Sequence, residues 1–413
     1  MPDESGKSLT TRTHPGDALS RKQKLVYILI LGALTALGPF TIDLYLPAFP
    51  AIEDDLGVSA AAVQLTLAGT TVGFGLGQLL VGPFSDKVGR RLPLILATSL
   101  HVAASVGAAM STDITMLMVF RVLQGIGAAG GGVVAMATIR DLFSGYPLVR
   151  MLSRMALVNG MAPILAPVIG SQLLLVLDWP GIFWFLAAYG AIVVVAAALM
   201  IVETLPPEKR KASGTTAVQR YKAVLSDRIY LGLLMMGGLN FAGLFTYLSA
   251  SPFLFQDLYE LSPQEYGLLF GINSLGVVSG VQISARIVRH VGPQWVLAWS
   301  TASMFIMGML IAVFDWLGFG FWGTVIPLWF YIMSVGFTFP NIQVLALAKH
   351  GAQAGTAASL LGAATFGFAG AMSPVVGLFG GTAAAMGLLM AANIGLAIIV
   401  LWTVVRPRTV PAI

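Results

Sequence analysis

Twelve apolar stretches dominate the pattern of hydrophobic and polar positions along this 413-residue chain. An α-helix needs about 20 mostly apolar residues to cross the hydrocarbon core of a membrane, and each stretch is close to that length. Polar and charged residues are concentrated between the stretches, so each stretch predicts one membrane-spanning helix. The predicted spans are 25–47, 61–83, 92–111, 114–138, 151–177, 181–202, 229–253, 265–285, 294–314, 319–346, 352–377 and 382–405.

One long polar segment, residues 203–228, divides the predicted spans into two groups of six. A faint internal repeat supports this division, because SDKVGRRLPL at 85–94 resembles VRHVGPQWVL at 288–297. Repeated halves around a central site are typical of secondary transporters. The sequence therefore predicts an all-α membrane protein with twelve transmembrane helices in two six-helix halves. The predicted regions are an N-terminal tail (1–24), a first half (25–202), a connection (203–228), a second half (229–405) and a C-terminal tail (406–413).

The charged residues separate by sign between the two ends of the spans. Odd-numbered connections hold acids such as Glu53 and Asp178 and no Lys or Arg, whereas even-numbered connections hold bases such as Arg91 and Arg150. Basic residues mark the cytoplasmic side of membrane proteins. We therefore expect a multi-pass protein of the cell membrane with both termini in the cytoplasm.

Composition supports a membrane protein and argues against several other classes. Only 10% of the residues are charged and 57% are hydrophobic, whereas soluble domains are about 25% charged. The chain has no cysteine, and we find no metal-ligand cluster and no nucleophile–base pair in its sequence. We expect a protein that is not an enzyme, has no cofactor or metal, and works as a monomer. The net charge of +5 follows from topology, so we expect no nucleic-acid partner.

Two charged residues lie well inside predicted spans, Asp43 in the first and Arg121 in the fourth. An ionised side chain at bilayer depth costs roughly 2.5–3.5 kcal/mol on the insertion scale, so such residues usually face a cavity or a partner. Counting 1.5 Å per residue from the helix ends places both at similar depths in the outer half of the bilayer. A carboxylate between burial and a nearby cation can take up and release a proton. The alternatives are a static ion pair or an aspartate hydrated near the interface.

The second connection reads GPFSDKVGRR, from Gly82 to Arg91. Asp86 is placed to face the positive N-terminus of a neighbouring helix, and Arg90 is placed to pair with Asp141. We interpret these three residues as a gate that holds the cytoplasmic face closed. The alternative is a plain topological anchor.

The fifth span carries Pro163, Pro167 and Gly170, and it predicts either a kinked packing helix or part of a transport pathway. Polar and aromatic residues at membrane depth are candidates for a cavity that holds an amphipathic ligand. Most such residues alternatively serve helix packing. The candidates for the substrate cavity are Tyr45, Gln64, Gln124, Asn159, Asn240, Tyr247, Asn273 and Asn341.

These motifs resemble the major facilitator superfamily, in particular its twelve-helix drug:proton antiporters. GPFSDKVGRR is similar to the loop signature G-x-x-x-D-x-x-G-R-R, and LMVFRVLQGIGAA at 117–129 is similar to the helix 4 signature. MAPILAPVIGS at 161–171 resembles the antiporter signature of helix 5, although Ala162, Ala166 and Ser171 replace its glycines. DLYLPAFP at 43–50 is similar to the first helix of the bicyclomycin- and chloramphenicol-resistance exporters.

The resemblance implies export of small amphipathic, drug-like compounds by alternating access, driven by inward proton flow. It further implies that Asp43 takes part in proton or substrate recognition and that Arg121 assists it. A proton-coupled uptake symporter for a nutrient or metabolite is the alternative within the same superfamily. A membrane enzyme or receptor is a third class, which no sequence motif supports.

Overall fold

The computed structural model describes residue 16 and residues 19–210, 217–350, 353–379 and 381–409. Every regular element within these residues is helical. The α-helices are α1 (Arg21–Asp43), α2 (Phe49–Leu56), α3 (Ala60–Val88), α4 (Arg91–Ala109), α5 (Ile114–Leu142), α6 (Gly145–Leu173), α7 (Trp179–Met200), α8 (Ala217–Leu225), α9 (Arg228–Phe253), α10 (Pro263–Val291), α11 (Pro293–Trp316), α12 (Gly320–Leu347), α13 (Ala354–Leu378) and α14 (Ala383–Val400).

The prediction of twelve membrane-spanning helices is confirmed. Twelve helical segments of the described residues are long and apolar enough to cross a membrane; α1 and α2 together form the first, and α8 lies in the connection. Several helices run past the predicted apolar spans, since α3 continues to Val88 and α6 begins at Gly145. Hydropathy marks only the apolar part of a helix, whereas the hydrogen-bonded backbone continues into polar surroundings.

The first span is interrupted where the sequence reads DLYLP. α1 ends at Asp43, and one 3₁₀ turn at Leu46–Ala48 separates it from α2. Proline has no backbone N–H, so Pro47 cannot donate to the Asp43 carbonyl as the fourth residue on would in a helix. The last carbonyls of α1 therefore need donors from elsewhere.

The internal repeat appears as a recurring set of helix neighbours. In the first half, α5 contacts α1, α3 and α4, and α4 contacts α7; in the second half, α12 contacts α9, α10 and α11, and α11 contacts α14. Gly89 ends α3 with φ of 112°, and Gly292 ends α10 with φ of 84°, a region that favours glycine. The halves meet along α3 with α13 and along α6 with α10.

Glycines let the central helices of each half touch backbone to backbone. A Cβ at Gly73 of α3 or at Gly125 of α5 would fall on a carbonyl oxygen of the facing helix. Gly280 of α10 and Gly336 of α12 make the equivalent contact in the second half. Close backbone approach through small residues is the main way in which membrane helices associate tightly.

We expect Gly125→Ala to lower the apparent melting temperature of the detergent-solubilised protein. The added methyl group would overlap the Thr70 carbonyl oxygen of α3, and overpacking of this kind costs about 1–3 kcal/mol. Gly132→Ala on the same helix is the control, because a Cβ there meets open space and alanine favours a helix by up to about 1 kcal/mol. Equal melting temperatures for the two variants would contradict the close-packing interpretation.

Candidate functional site

A cavity of about 1660 Å³ lies between the two halves and is lined by side chains of both. It extends from Asp43 to a mouth at which Asp86, Arg90, Arg140 and Asp141 lie. We call this end of the molecule the basic face, because it also carries the described basic residues of the even-numbered connections. The opposite end, with the acids of the odd-numbered connections, is the acidic face.

The cavity is closed toward the acidic face by contacts that join the two halves. The Gln64 side chain of α3 donates to the Ser249 carbonyl of α9 at 3.0 Å, and Gln264 of α10 donates to the Ser171 carbonyl of α6 at 2.8 Å. The rings of Phe49 and Phe253 lie 5.7 Å apart across the same junction. The cavity therefore opens to the basic face only.

Asp43 lies at the deep end of this cavity, as the last residue of α1. Its side chain lines the cavity although only 5% of the residue is exposed. Among the described residues, no group donates a hydrogen bond to its carboxylate. The carboxylate lies within electrostatic range of Tyr247 and Tyr266 of the second half. Asp43 is thus an acid without a hydrogen-bond donor at the place where the two halves face each other.

Arg121 lies behind Asp43 and outside the cavity wall. It is fully buried, donates from Nη2 to the Thr41 carbonyl at 2.9 Å, and places its guanidinium 3.9 Å from the centre of the Tyr45 ring. A carbonyl in the last turn of α1 and an aromatic face are both favourable partners for a guanidinium. Within the described residues, Arg121 forms no ion pair with Asp43. Its observed role is to hold the end of α1 in place.

A short chain of hydrogen bonds extends from Arg121 into the first half. Gln124 accepts from Arg121 Nη1 and donates to Ser105 Oγ at 2.7 Å, and Ser105 donates to the His101 carbonyl at 2.7 Å. All four residues are buried. The predicted cavity residue Gln124 therefore lies in the wall behind α1, where it orients Arg121.

The helix 5 motif lies on α6, at its contacts with α1 and α10. Pro167 has no N–H to donate to the Pro163 carbonyl, and the Ser274 hydroxyl of α10 approaches that carbonyl at 3.4 Å. A Cβ at Gly170 would fall on the Leu44 carbonyl oxygen, just beyond the end of α1. Pro163 also lines the cavity. These residues therefore let α6 approach both the interruption of the first span and the opposite half.

The charged residues at the cavity mouth form an ion-pair cluster within the first half. Arg90 donates to Asp141 at 2.8 Å and to Asp86 at 2.6 Å. Burial disfavours the charge of Arg90, but these two carboxylates outweigh it and raise the pKa of the guanidinium. The predicted Arg90–Asp141 contact is therefore formed while the mouth is open. The gating role of these residues stays a prediction.

Glu203 belongs to the same cluster, although the sequence gave no signal for it. Its carboxylate accepts the backbone N–H groups of Arg90 and Arg91 at 2.8 and 3.2 Å, at the first residues of α4. Partial burial disfavours its charge, but these bonds, a further one from Leu205 N–H and the nearby Arg210 hold the pKa of Glu203 below its usual value. Glu203 ties the connection between the halves to the cavity mouth.

The eight predicted cavity residues fall into two groups. Asn159, Tyr247 and Asn273 line the cavity. The other five lie outside its wall: Tyr45 beneath Arg121, Gln64 in the seal at the acidic face, Gln124 beside Arg121, Asn240 bonded to the Met236 carbonyl, and Asn341 bonded to Ser284.

Five phenylalanines form a continuous aromatic wall on the cavity. Phe74 of the first half stacks on Phe366 of the second at 5.0 Å, and Phe366 contacts Phe241 at 5.2 Å. Phe241 also contacts Phe339 and Phe245, at 5.5 and 5.0 Å. The sequence did not single out Phe366, because a phenylalanine in a spanning helix is equally compatible with lipid. We call these five residues the phenylalanine cluster.

A family model described as Major Facilitator Superfamily matches residues 29–374 of the chain. The chain belongs to the Major Facilitator Superfamily. The resemblance identified from the sequence motifs is thereby confirmed, and the protein is a multi-pass membrane transporter and not an enzyme.

The relatives of this Major Facilitator Superfamily transporter include proteins named for drug resistance. It is 30% identical to the bicyclomycin resistance protein homolog of Haemophilus influenzae, over 86% of this chain and 90% of the relative. It is 28% identical to multidrug resistance protein D of Escherichia coli, over 94% and 98%. An uncharacterised transporter of Bacillus subtilis, YdgK, is 37% identical over 89% and 92%.

Among solved structures, the D-xylose-proton symporter matches this transporter with a TM-score of 0.76. The match covers 94% of this chain and 100% of the symporter at 16% sequence identity. At this identity the likeness establishes the major facilitator fold and not the substrate.

We expect Glu203→Gln to weaken the transporter at neutral pH and to reduce its sensitivity to acid. The pKa of Glu203 lies below its unfolded value, so its stabilisation is present above about pH 4.5 and is lost as the pH falls through the folded pKa. The carboxylate is largely exposed, so the effect is less than about 1 kcal/mol. Thermal denaturation in detergent, from pH 7 downward, measures both effects.

The matched control is Glu208→Gln, which changes an exposed acid of the same connection. This variant should melt like the wild type at neutral pH and show the same acid sensitivity. If Glu203→Gln also melts like the wild type at every pH, the hydrogen bonds to the start of α4 do not contribute to stability.

Proposed function

We propose that this transporter exports small amphipathic compounds from the cytoplasm in exchange for protons. The observation that carries the proposal is Asp43, an acid at the deep end of a large apolar cavity with no hydrogen-bond donor from the described residues. The names of the relatives, which refer to bicyclomycin and multidrug resistance, support this cargo class.

The distribution of charge supports loading from the cytoplasm. In the described connections, Lys and Arg lie on the basic face, and this bias marks the cytoplasmic side of bacterial membrane proteins. The cavity opens to that face. Both chain ends then lie in the cytoplasm, and the conformation described here is the one that receives cargo from inside the cell.

The proposed coupling depends on competition for one carboxylate. Asp43 can hold a proton or interact with cargo in its ionised form, but a single carboxylate cannot do both. Facing the cytoplasm, Asp43 gives up its proton as cargo enters; facing outward, it takes up a proton as cargo leaves. Arg121 keeps the end of α1 fixed through Thr41 and Tyr45, so Asp43 stays on the cavity side.

The proposed cytoplasmic gate uses the ion-pair cluster at the mouth. The Asp86 side chain is 57% exposed, whereas those of Arg90 and Asp141 are 9% and 20% exposed. Asp86 is therefore free to approach a helix N-terminus of the opposite half when the mouth closes. The start of α13, where Gly355 and Thr356 line the same mouth, is the nearest candidate on the second half. One chain supplies the complete cavity, which supports a functional monomer.

We expect Asp43→Asn to lower proton-driven transport at least about tenfold, because an amide does not exchange a proton. Everted membrane vesicles from an efflux-deficient bacterium, acidified inside, would be loaded with radiolabelled chloramphenicol. The control is Asp178→Asn, which changes an exposed acid of the acidic face at the start of α7. Undiminished uptake by the Asp43 variant would remove this residue from the proton pathway.

The same vesicles decide between export and uptake. Acid inside an everted vesicle should drive the compound inward for an antiporter, whereas a symporter would move it outward along with the protons. Susceptibility of the efflux-deficient host to a panel of antibiotics, with and without the protein, identifies the cargo. We expect raised resistance to at least one amphipathic antibiotic; increased accumulation of such compounds would favour uptake.

A further inference from the structure

The deep end of the cavity presents hydrogen-bond acceptors to a ligand. Asp43 is the only charged residue of the described cavity wall away from the mouth, and its carboxylate accepts from no described donor. Arg121 does not counter this charge within the cavity, because it faces Thr41 and Tyr45 behind α1. The deep end of the cavity therefore favours a positively charged group.

Asn273 adds a second acceptor from the opposite half. The residue is 1% exposed, lines the cavity, and donates from Nδ2 to the Tyr247 hydroxyl at 3.3 Å. Among the described residues, no group donates to its Oδ1, which is fully buried. A buried amide oxygen without a donor costs about 1–3 kcal/mol, so a ligand that supplies an N–H recovers that energy.

The phenylalanine cluster provides an apolar surface of matching chemistry on the same cavity. Phe74 and Phe366 come from different halves, and Phe241, Phe339 and Phe366 are half-buried, which leaves part of each ring open to the cavity. Aromatic rings bind other rings by offset stacking and edge contacts. An aromatic ligand can therefore lie against this wall.

We propose that the cargo is an aromatic amine whose protonated nitrogen donates to Asp43 and to Asn273 Oδ1 while its ring packs on the phenylalanine cluster. The proposal rests on the proposed function only in treating the cavity as the cargo site. Because Asp43 belongs to α1 and Asn273 to α10, the ammonium group bridges the two halves. Tyr247 positions Asn273 by accepting from its Nδ2, which leaves Oδ1 directed to the ligand.

The test compares three related probes in equilibrium dialysis with the purified protein at neutral pH. Propranolol carries an aromatic ring system and a secondary ammonium group. Its dimethylated quaternary analogue keeps the charge but has no N–H on the nitrogen, and its N-acetyl derivative has neither the charge nor that N–H. We expect the quaternary and acetylated probes to bind at least about tenfold more weakly than propranolol.

Variants then separate the two acceptors. Asn273→Leu should weaken propranolol about tenfold and leave the quaternary analogue unchanged, whereas Asp43→Asn should weaken both cations. Asn393→Leu is the matched control, because Asn393 is a buried asparagine of α14 outside the cavity wall. Thermal denaturation shows whether each variant is folded.

Three results would overturn the proposal: no binding of propranolol to the folded protein, equal binding of the acetylated probe, or wild-type affinity in Asn273→Leu. These measurements use no proton gradient. Binding as expected without proton-driven transport would count against the proposed antiport alone, whereas proton-driven transport of a compound that ignores Asn273 would count against the amine site alone.

Discussion

The site depends on one constraint, which is that α1 ends inside the membrane. A helix end leaves carbonyl groups without donors, and at bilayer depth there is little water to satisfy them. Arg121 donates to the carbonyl of Thr41, and Gly170 lets α6 come up to Leu44 just beyond the end. The interruption therefore requires a buried cation behind it and a helix without a side chain beside it. In return, it holds Asp43 at the end of a rigid helix, where its side chain faces the cavity.

The same kind of problem is solved differently on α6. Pro167 leaves the Pro163 carbonyl without its usual donor, and a hydroxyl of the opposite half, Ser274, approaches it. An uncharged partner at 3.4 Å is a weak one. A defect in a helix that lies within one half is thus held by a buried charge, whereas a defect at the junction of the halves is held by a contact that is easily broken.

The sequence was sufficient for the fold and for part of the site. Hydropathy and charge sign gave the twelve spans, since both depend on each segment's contact with lipid or water and not on its neighbours. Depth along a helix likewise singled out Asp43 and Arg121. The partner of Arg121 was not predictable, because Thr41 becomes available only through the interruption of the helix. Direction around a helix was also hidden: any amide at membrane depth can bond to a neighbouring helix, as Asn341 does, or face the cavity.

The distribution of contacts explains how such a molecule can change the side to which its cavity opens. Within each half, Gly73 with Gly125 and Gly280 with Gly336 bring backbones into direct contact, and such packing does not yield without a large loss of contact energy. Between the halves, the seal at the acidic face uses two amide hydrogen bonds, from Gln64 and Gln264, and ring contacts. Hydrogen bonds of this kind contribute about 1 kcal/mol each. Proton and cargo binding at Asp43 act on the scale of a few kcal/mol, which is enough to rebalance the seal while each half stays rigid.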